Sequence, residues 1–505
     1  MRFSPIRKSI TRRQGVLVGL MLGVTSVSVY AQQGGPAGDS MAAPLAEQSA
    51  LDELAALDAR PGQADAHQAP TLPSLPGLFA SALEHDADLS RQRFELAATQ
   101  EEVPMARSQL LPQVSASGSY LWQDSTNIQT SPDDFGLDQP AQRPGEIEEN
   151  VWGVQLQQPL FSLERWRGVN VAQAQVSAAE LQLAVVERDL ALQVAEAYIQ
   201  AYLATQRLGL LKSQQESLEL QVRQAQRAYD LGIGDRINLY EAQSRLDQAV
   251  SDAVQAENEL NNALSTLERL TGTFPEFSSL GVGELSSATL NQEWGDPQAW
   301  IARAGQNLDV QLAAEQARIA TADASTRRAG YFPELNLNLS YSDRQSDDAL
   351  RESEDYRASV EVSVPIYRGG YTTANVRQGE RRIDASQADL DNQLNLAVQE
   401  VRQRLRSLNG HVRRVQALSQ AIESSQLFLD AAERGEQLGL RDLVDVLDAR
   451  ASLYDQRIQY VDTIGEYALD SLALQSAVGD LSSQDLSDIM TLLLSFTDLT
   501  VTSQG

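Results

Sequence analysis

The chain has 505 residues, no cysteine and a formal net charge of -29 at pH 7. The lack of cysteine excludes disulfides, thiolate metal sites and cysteine nucleophiles. The acidic excess argues against a nucleic-acid partner, because phosphate binding requires clustered lysine and arginine. It is consistent either with solubility in a salt-rich habitat or with an acidic interior that favours cations.

The N-terminal residues 1–31 have the features of a secretory signal peptide. Basic residues between Arg2 and Arg13 precede an apolar run, Val16–Val24, which is too short to span a bilayer. Small residues then lead to a cleavage site after Ala31. We therefore expect the protein to leave the cytoplasm. Residues 32–75 are rich in Ala, Gly, Gln, Pro and Asp, and are expected to form a disordered linker.

The rest of the sequence contains one large tandem repeat. Three segments of the first repeat have counterparts in the second. Leu111-Pro112 corresponds to Phe332-Pro333, Gln158–Phe161 corresponds to Val364–Tyr367, and Leu231–Ile233 corresponds to Leu438–Leu440. We place the repeats at 76–272 and 298–481, with a connector at 273–297 and a C-terminal tail at 482–505. Each repeat is predicted to contain a helix, two strands around a polar loop, and a very long helical stretch.

The predicted strands alternate between apolar and small polar residues. Leu335, Leu337, Leu339 and Tyr341, for example, alternate with Asn336, Asn338 and Ser340. This period is typical either of a transmembrane barrel with a wet lumen or of a half-buried sheet in a soluble protein. Aromatic residues near the strand ends favour the barrel; they are Tyr120, Trp122, Trp152, Tyr341 and Tyr356. The acidic stretches 123–149 and 342–356 are expected to be loops.

The helical stretches show heptad spacing, which is typical of coiled coils. The two clearest seams consist of Leu239, Ala242, Leu246, Ala249, Ala253, Ala256, Leu260, Ala263, Leu267 and Leu270, and of Leu394, Val398, Val401, Leu405, Leu408, Val412 and Val415. A single helix over residues 167–230 would be about 95 Å long at about 1.5 Å per residue. A duct that crosses the periplasm needs such a length, whereas a compact domain does not.

The strand number predicts an oligomer. Four membrane strands in one chain cannot close a barrel, and an open sheet edge in lipid leaves backbone groups unpaired. Three copies would supply a twelve-stranded barrel and would join their long helices into one tube.

These features resemble the TolC-like outer-membrane efflux protein family from about Leu75 to Leu481. The markers are the duplicated layout, the Leu-Pro and Phe-Pro strand starts, and the segment Leu438–Ala449, which contains Asp-Val-Leu-Asp-Ala. The resemblance implies an α+β membrane protein: a trimeric, 12-stranded β-barrel with four strands per chain, continued by a long α-helical coiled-coil barrel. It also implies an equatorial belt formed by the inter-repeat and C-terminal segments.

The resemblance further implies site residues and partners. Asp445 and Asp448 match the family's periplasmic pore constriction, where three chains would form two rings of carboxylates. Arg441 matches a tying arginine of the closure network, with Asn238 and Glu436 as its candidate partners. The tips Gly232, Ile233, Gly439 and Leu440 are expected to contact a periplasmic adaptor (a membrane fusion protein). This adaptor would link the channel to an inner-membrane ABC or proton-driven translocase.

Two other classes of function compete with the export duct. An enzyme is disfavoured, because the sequence contains no nucleophile–base arrangement and no phosphate-cradling loop. The three histidines, His67, His85 and His411, are each expected at the surface, so no metal or cofactor is predicted. The other alternative is a soluble periplasmic coiled-coil scaffold or adaptor, which would explain the heptads but not the paired strands. Within the duct hypothesis, the cargo is either unfolded protein or small toxic compounds.

Overall fold

The computed structural model describes residues 73–124, 146–275, 277, 290, 294–347 and 351–496. These residues lie in one compact unit, Ala69–Gly505. The predicted signal peptide, nearly all of the predicted linker and most of the connector lie outside the described residues.

The first repeat begins with three short helices, continues with two strands and ends with two long helices. In chain order these are α1 (Leu75–His85), α2 (Ala87–Gln100), α3 (Glu102–Ser108), β1 (Gln113–Asp124), β2 (Glu146–Phe161), α4 (Leu163–Asp230) and α5 (Arg236–Thr271).

The second repeat has the same order of elements. It consists of α6 (Pro297–Arg303), a 3-10 turn (Ala304–Gln306), α7 (Leu308–Ala329), β3 (Glu334–Ser346), β4 (Ser353–Ser363), α8 (Tyr371–Gln437) and α9 (Leu443–Ala477). A last helix, α10 (Ser483–Ser495), lies within the predicted C-terminal tail.

The predicted long helix is present and begins earlier than expected. Helix α4 has 68 residues and starts at Leu163, because the Ser162 hydroxyl accepts a hydrogen bond from the Arg165 amide at 3.4 Å. No proline interrupts it, since the sequence has none between Pro159 and Pro275. At about 1.5 Å per residue, α4 is about 100 Å long.

The heptad seams pack against neighbouring helices. Seven of the ten predicted seam residues of α5 are buried, and Leu239, Leu246 and Leu260 are half-buried. In α8 the five residues from Val401 to Val415 are buried, but Leu394 is 39% exposed in this chain. Helices α4 and α5 form one hairpin and α8 and α9 form the other, while α7 packs along both α4 and α8. The predicted seams are therefore buried within the chain, except at the start of the α8 seam.

The main core lies around the middle of the long helices. It joins residues of α4 near Tyr198, the C-terminal ends of α5 and α9, the middle of α8, and the helices α1 and α10. The Tyr202 hydroxyl donates to the Leu493 carbonyl at 2.9 Å, and Leu493 is fully buried. Helix α10 is thus packed against the long helices, and the equatorial belt that the resemblance implies stays a prediction.

The four strands form one antiparallel sheet in the order β1-β2-β3-β4. Directly opposed residues of an antiparallel pair point to the same side. Because Ala116 pairs with Val154, Val154 with Tyr341 and Tyr341 with Tyr356, the apolar rows predicted for all four strands share one face. This face is uncovered in the single chain, where Val114 is 67% exposed and Val362 is 61% exposed.

Three of the five predicted interface aromatics meet on that face. The Trp152 and Tyr341 rings are 5.1 Å apart, and those of Tyr341 and Tyr356 are 4.8 Å apart. The Trp152 indole donates to Asp343 at 3.0 Å. The predicted loops 123–149 and 342–356 are too long, because antiparallel pairing extends to Asp124–Glu146 and to Arg344–Ser353.

Candidate functional site

Two tight turns end the two helical hairpins in the same way. In the first turn, the Ile233 amide donates to the Ala228 carbonyl at 3.0 Å; in the second, the Leu440 amide donates to the Gly435 carbonyl at 2.8 Å. Gly232 has a φ of 73° and Gly439 has a φ of 68°. This left-handed conformation suits glycine at the end of a helix.

Both turns lie at the same end of the helical hairpins. A small apolar cluster near them joins Leu218 of α4, Ala242 and Ala249 of α5, and Leu447 of α9. Beyond this cluster the turn residues are uncovered: Ile233 is 81% exposed and Leu440 is 76% exposed. Exposed aliphatic side chains at a helical tip are suited to contact with another protein.

The predicted constriction residues stand on the first two turns of α9, beside these tips. Asp445 accepts a hydrogen bond from Arg441 of the preceding turn at 3.3 Å. Asp448 forms an ion pair with Arg245 of α5 at 2.6 Å, and Arg245 also contacts Glu241 at 3.1 Å. Both carboxylates are therefore about half exposed and each lies beside a guanidinium group.

The predicted closure residues lie at or next to the helix ends that flank the two turns. Asn238 is in the first turn of α5, Glu436 is in the last turn of α8, and Arg441 lies between α8 and α9. The Arg441 guanidinium stands over the Phe428 ring, 5.8 Å from its centre, and its ion pair is with Asp445. A tie from Arg441 to Asn238 or Glu436 stays a prediction.

Other arginines tie the two helical hairpins together. Arg245 joins α5 to α9, and Arg207 of α4 joins Glu259 of α5 to Asp462 of α9 at 2.7 and 3.0 Å. Arg450 of α9 reaches Glu433 of α8 at 2.5 Å and the Ser217 hydroxyl of α4. These arginines could not be predicted from the sequence, because heptad spacing does not reveal which residues of two different helices face each other.

A polar cleft of about 370 Å³ lies between α4, α5 and α9. Asp252 and Asp455 both line it. Burial, together with the nearby Asp252 carboxylate, raises the pKa of Asp455 above its ordinary value. The cleft therefore favours the protonated form of the Asp455 carboxyl group.

The prediction that His411 is a lone surface residue is wrong. Its side chain is only 17% exposed, and its Nε2 lies 3.0 Å from Asp470 of α9 while its Nδ1 lies 3.4 Å from Glu466. His411 of α8 and its two partners on α9 are far apart in the sequence and meet only where the helices pack, so no local pattern indicated this contact. Among the described residues, no group of three or more His, Asp or Glu side chains has the geometry of a metal site.

None of the helices among the described residues combines the length and the apolar character that a membrane-spanning helix requires.

The sequence matches the family of outer membrane efflux proteins over residues 78–273 and 302–480. The chain belongs to this family. The two matched segments correspond to the two repeats, and the family assignment places the chain in the outer membrane with a periplasmic helical domain. The general role is therefore that of an export channel.

Curated relatives of this outer membrane efflux protein support the same assignment. The outer membrane protein TolC of Vibrio cholerae is 29% identical over 423 residues, which cover 82% of this chain and 93% of TolC. The alkaline protease secretion protein AprF of Pseudomonas aeruginosa is 26% identical, over 80% of this chain and 84% of AprF. The crystal structure of the Campylobacter jejuni CmeC outer membrane channel has the same fold, with a TM-score of 0.68, 16% identity, and coverage of 87% of this chain and 95% of CmeC.

Proposed function

We propose that three copies of this chain assemble into one passive export duct. Their four-stranded sheets would close a twelve-stranded barrel, and their long helices would form a tunnel through the periplasm. The observation that carries the proposal is the uncovered apolar face of a sheet whose two outer strands, β1 and β4, each have one neighbour. Such a face and such edges are stable in lipid only when the sheet closes on itself.

We place the constriction of this duct at the turns of the helical hairpins, where α9 begins. Three chains would bring their Asp445 and Asp448 carboxylates into two rings around the axis. Closely spaced carboxylates attract cations and repel anions. The ion pair between Asp448 and Arg245 supports a further role for Arg245: it would hold α9 against α5 while the duct is shut.

The partners of the duct are proposed at the same end. The exposed side chains of Ile233 and Leu440 would dock a periplasmic adaptor, which would join the channel to an inner-membrane ABC or proton-driven translocase. The cargo would be protein in a type I system, small toxic compounds in multidrug efflux, or both. The name of one relative, an alkaline protease secretion protein, supports the protein-secreting branch.

The test is single-channel conductance of the purified protein in planar bilayers. We expect a small, cation-selective conductance that trivalent cations block. The Asp445→Asn/Asp448→Asn variant should conduct more anions and lose this block, because it removes both rings of charge without changing side-chain size. Arg245→Gln should keep or increase cation selectivity, because it removes a positive charge beside Asp448.

The matched control is Asp247→Asn, which removes an exposed carboxylate of α5 that does not line the cleft. It should leave selectivity unchanged. If the double variant has the same conductance as the parent chain, the protein is still a channel but its constriction lies at other residues. Failure of well-folded trimers to insert into bilayers would contradict the duct and favour the periplasmic scaffold.

A further inference from the structure

The two helical hairpins of the chain, α4–α5 and α8–α9, are equivalent in packing as well as in sequence. The left-handed glycines of their two turns are 207 positions apart. In the first hairpin, Arg207 pairs with Glu259 at 2.7 Å. In the second hairpin, Arg414 pairs with Glu466 at 3.6 Å, and both residues lie at that same spacing from their counterparts. Each residue of one hairpin therefore has a structural counterpart in the other.

The two hairpins meet within the chain where α4 packs against α9. Three contacts between these helices fix how they lie. The contacts are Leu203 with Gly465, Arg207 with Asp462, and Ser217 with Arg450. A Cβ atom at Gly465 would overlap the Leu203 side chain, and the ion pair of the second contact measures 3.0 Å. Because the position numbers rise along α4 as they fall along α9, the two helices are antiparallel and share one register.

The counterparts of this contact surface are uncovered in the single chain. The counterpart of the α4 surface lies on α8, where Ala417 is exposed although Leu210, at the corresponding place on α4, is buried. The counterpart of the α9 surface lies on α5. There Tyr240 is 56% exposed, whereas Leu447, its counterpart on α9, is buried in a cluster with Leu218 of α4. The first repeat therefore has an open α5 surface, and the second has an open α8 surface.

The sheet is open in the same two repeats. Strands β2 and β3 pair within the chain, and their counterparts in the other repeat, β4 and β1, are the outer strands. Both the sheet and the helices thus leave an uncovered edge on each repeat. In a ring of three copies, the second repeat of one copy lies beside the first repeat of the next, so one neighbour covers both kinds of edge.

We propose that α8 of one copy packs on α5 of the next copy in the register that α4 and α9 have within one chain. The proposal rests on the trimer proposed above, and it names the helical surfaces through which the copies meet. It gives three contacts between copies, each the counterpart of a contact within the chain. From α8 to α5 of the next copy, they are Gly410 with Asn258, Arg414 with Gln255, and Ser424 with Gln243.

Gly410 supports this arrangement. A glycine inside a helix is destabilising relative to alanine, and apart from its own helix no described atom lies within 4 Å of the place that a Cβ would take at Gly410. The described part of the single chain therefore gives no reason for a glycine here. Within the chain, the larger residue is Leu203 of α4 and the glycine is Gly465 of α9. Between copies the sizes are reversed, since the glycine is on α8 and the larger residue, Asn258, is on α5.

The other two contacts are suited to hydrogen bonds. The Gln255 amide nitrogen donates to Glu259 at 3.1 Å, so its amide oxygen can accept from Arg414 of the neighbouring copy. Ser424 and Gln243 are both exposed and polar, and either can donate to the other. Neither contact joins two charged groups, so both are weaker than the ion pair that links α4 to α9 within the chain.

The first experiment crosslinks pairs of cysteines between copies of the full-length protein. The native chain has no cysteine, so Ser424→Cys/Gln243→Cys and Gly410→Cys/Asn258→Cys introduce the only thiols. A short bifunctional thiol reagent should join each pair into covalent dimers and trimers. The matched control, Ser424→Cys/Asn258→Cys, uses the same two helical surfaces but shifts one thiol along α5 by about 22 Å. It should stay monomeric in denaturing gels.

The second experiment exchanges the sizes of one pair. Gly410→Leu should lower the temperature at which the trimers dissociate in detergent, because the added side chain meets Asn258 of the next copy. Adding Asn258→Gly should restore much of that temperature, since the pair then has the sizes of Leu203 and Gly465. The control Gln416→Leu adds the same side chain at an exposed position of α8, about 120° around the helix. It should leave the dissociation temperature unchanged.

Light scattering and conductance of the purified protein separate the possible failures. Trimers that conduct but give no crosslink with either matched pair would overturn the helical register and leave the export duct intact. Gly410→Leu trimers that are as heat-resistant as the parent would also overturn the register. Chains that remain monomeric would contradict both the register and the duct.

Discussion

At the scale of single residues, the end of α9 depends on one glycine. Gly479 has a φ of 71°, and its amide donates to the Ser476 carbonyl at 3.0 Å. A Cβ atom at this position would overlap the carbonyl oxygen of Gln306, which belongs to the backbone and cannot rotate away. The turn thus brings the end of α9 into direct contact with the residues before α7.

We therefore predict that Gly479→Ala lowers the melting temperature of the protein. The left-handed backbone costs a substituted residue about 1 kcal/mol, and overpacking adds about 1–3 kcal/mol. Gly369→Ala is the matched control, because Gly369 has a φ of 59° but no described atom lies within 4 Å of the place that a Cβ would take. Equal melting temperatures for the two variants would show that the contact with Gln306 relaxes without cost.

The candidate constriction illustrates what residue patterns could and could not predict. The spacing of Asp445 and Asp448 places them on one face of a helix, and the structure has both on α9. The pairing of Asp448 with Arg245 was not predictable, because the two residues are 203 positions apart and meet only through helix packing. The same holds for His411, whose partners lie on a different helix.

At the scale of elements, the two helical hairpins present equivalent apolar tips. The turns share the same hydrogen-bonding pattern, and Ile233 and Leu440 occupy corresponding positions in them. Neither side chain is needed for the core, since both are more than three-quarters exposed. A substitution at these positions should therefore leave the helices intact.

We predict that Ile233→Asp/Leu440→Asp lowers export in cells by about fivefold to a hundredfold without changing the amount of folded protein. Loss of two apolar contacts at an interface costs about 1–3 kcal/mol, and about 1.4 kcal/mol corresponds to a tenfold change in affinity. The measurements are export of cargo and co-purification with the proposed adaptor. The control Gln437→Asp adds a charge to the same turn but removes no apolar side chain. Unaltered export by the double variant would place the adaptor contact elsewhere.

At the scale of the whole molecule, the sheet and the helices both expose apolar surface in the single chain. The sheet has two outer strands and an uncovered apolar face, and the hairpins have exposed apolar residues such as Leu220 and Leu427 along their flanks. Assembly of several copies would cover both. The proposed trimer is an assembly that would meet this shared requirement.

We predict that β1 of one copy pairs with β4 of the next. Single cysteines at Ser117 of β1 and Ser359 of β4 should give covalent dimers and trimers under mild oxidation only when both are present in the chain. The native chain contributes no background, since it has no cysteine. A panel that adds Ser115 and Ser119 covers shifts in register. If every chain with one cysteine in β1 and one in β4 stays monomeric in denaturing gels, the closed barrel is contradicted.

Local patterns in the sequence determined the strands, the long helices and the repeat. Period-two alternation and heptad spacing act within a few residues, so the burial of the α5 seam and the common apolar face of the sheet followed from them. Tertiary packing decided which residues of different helices meet. The register between α5 and α9, for example, sets Arg245 against Asp448. Side chains hundreds of positions apart leave no local signal of such a contact, because the free energy that selects it comes from burying the whole interface.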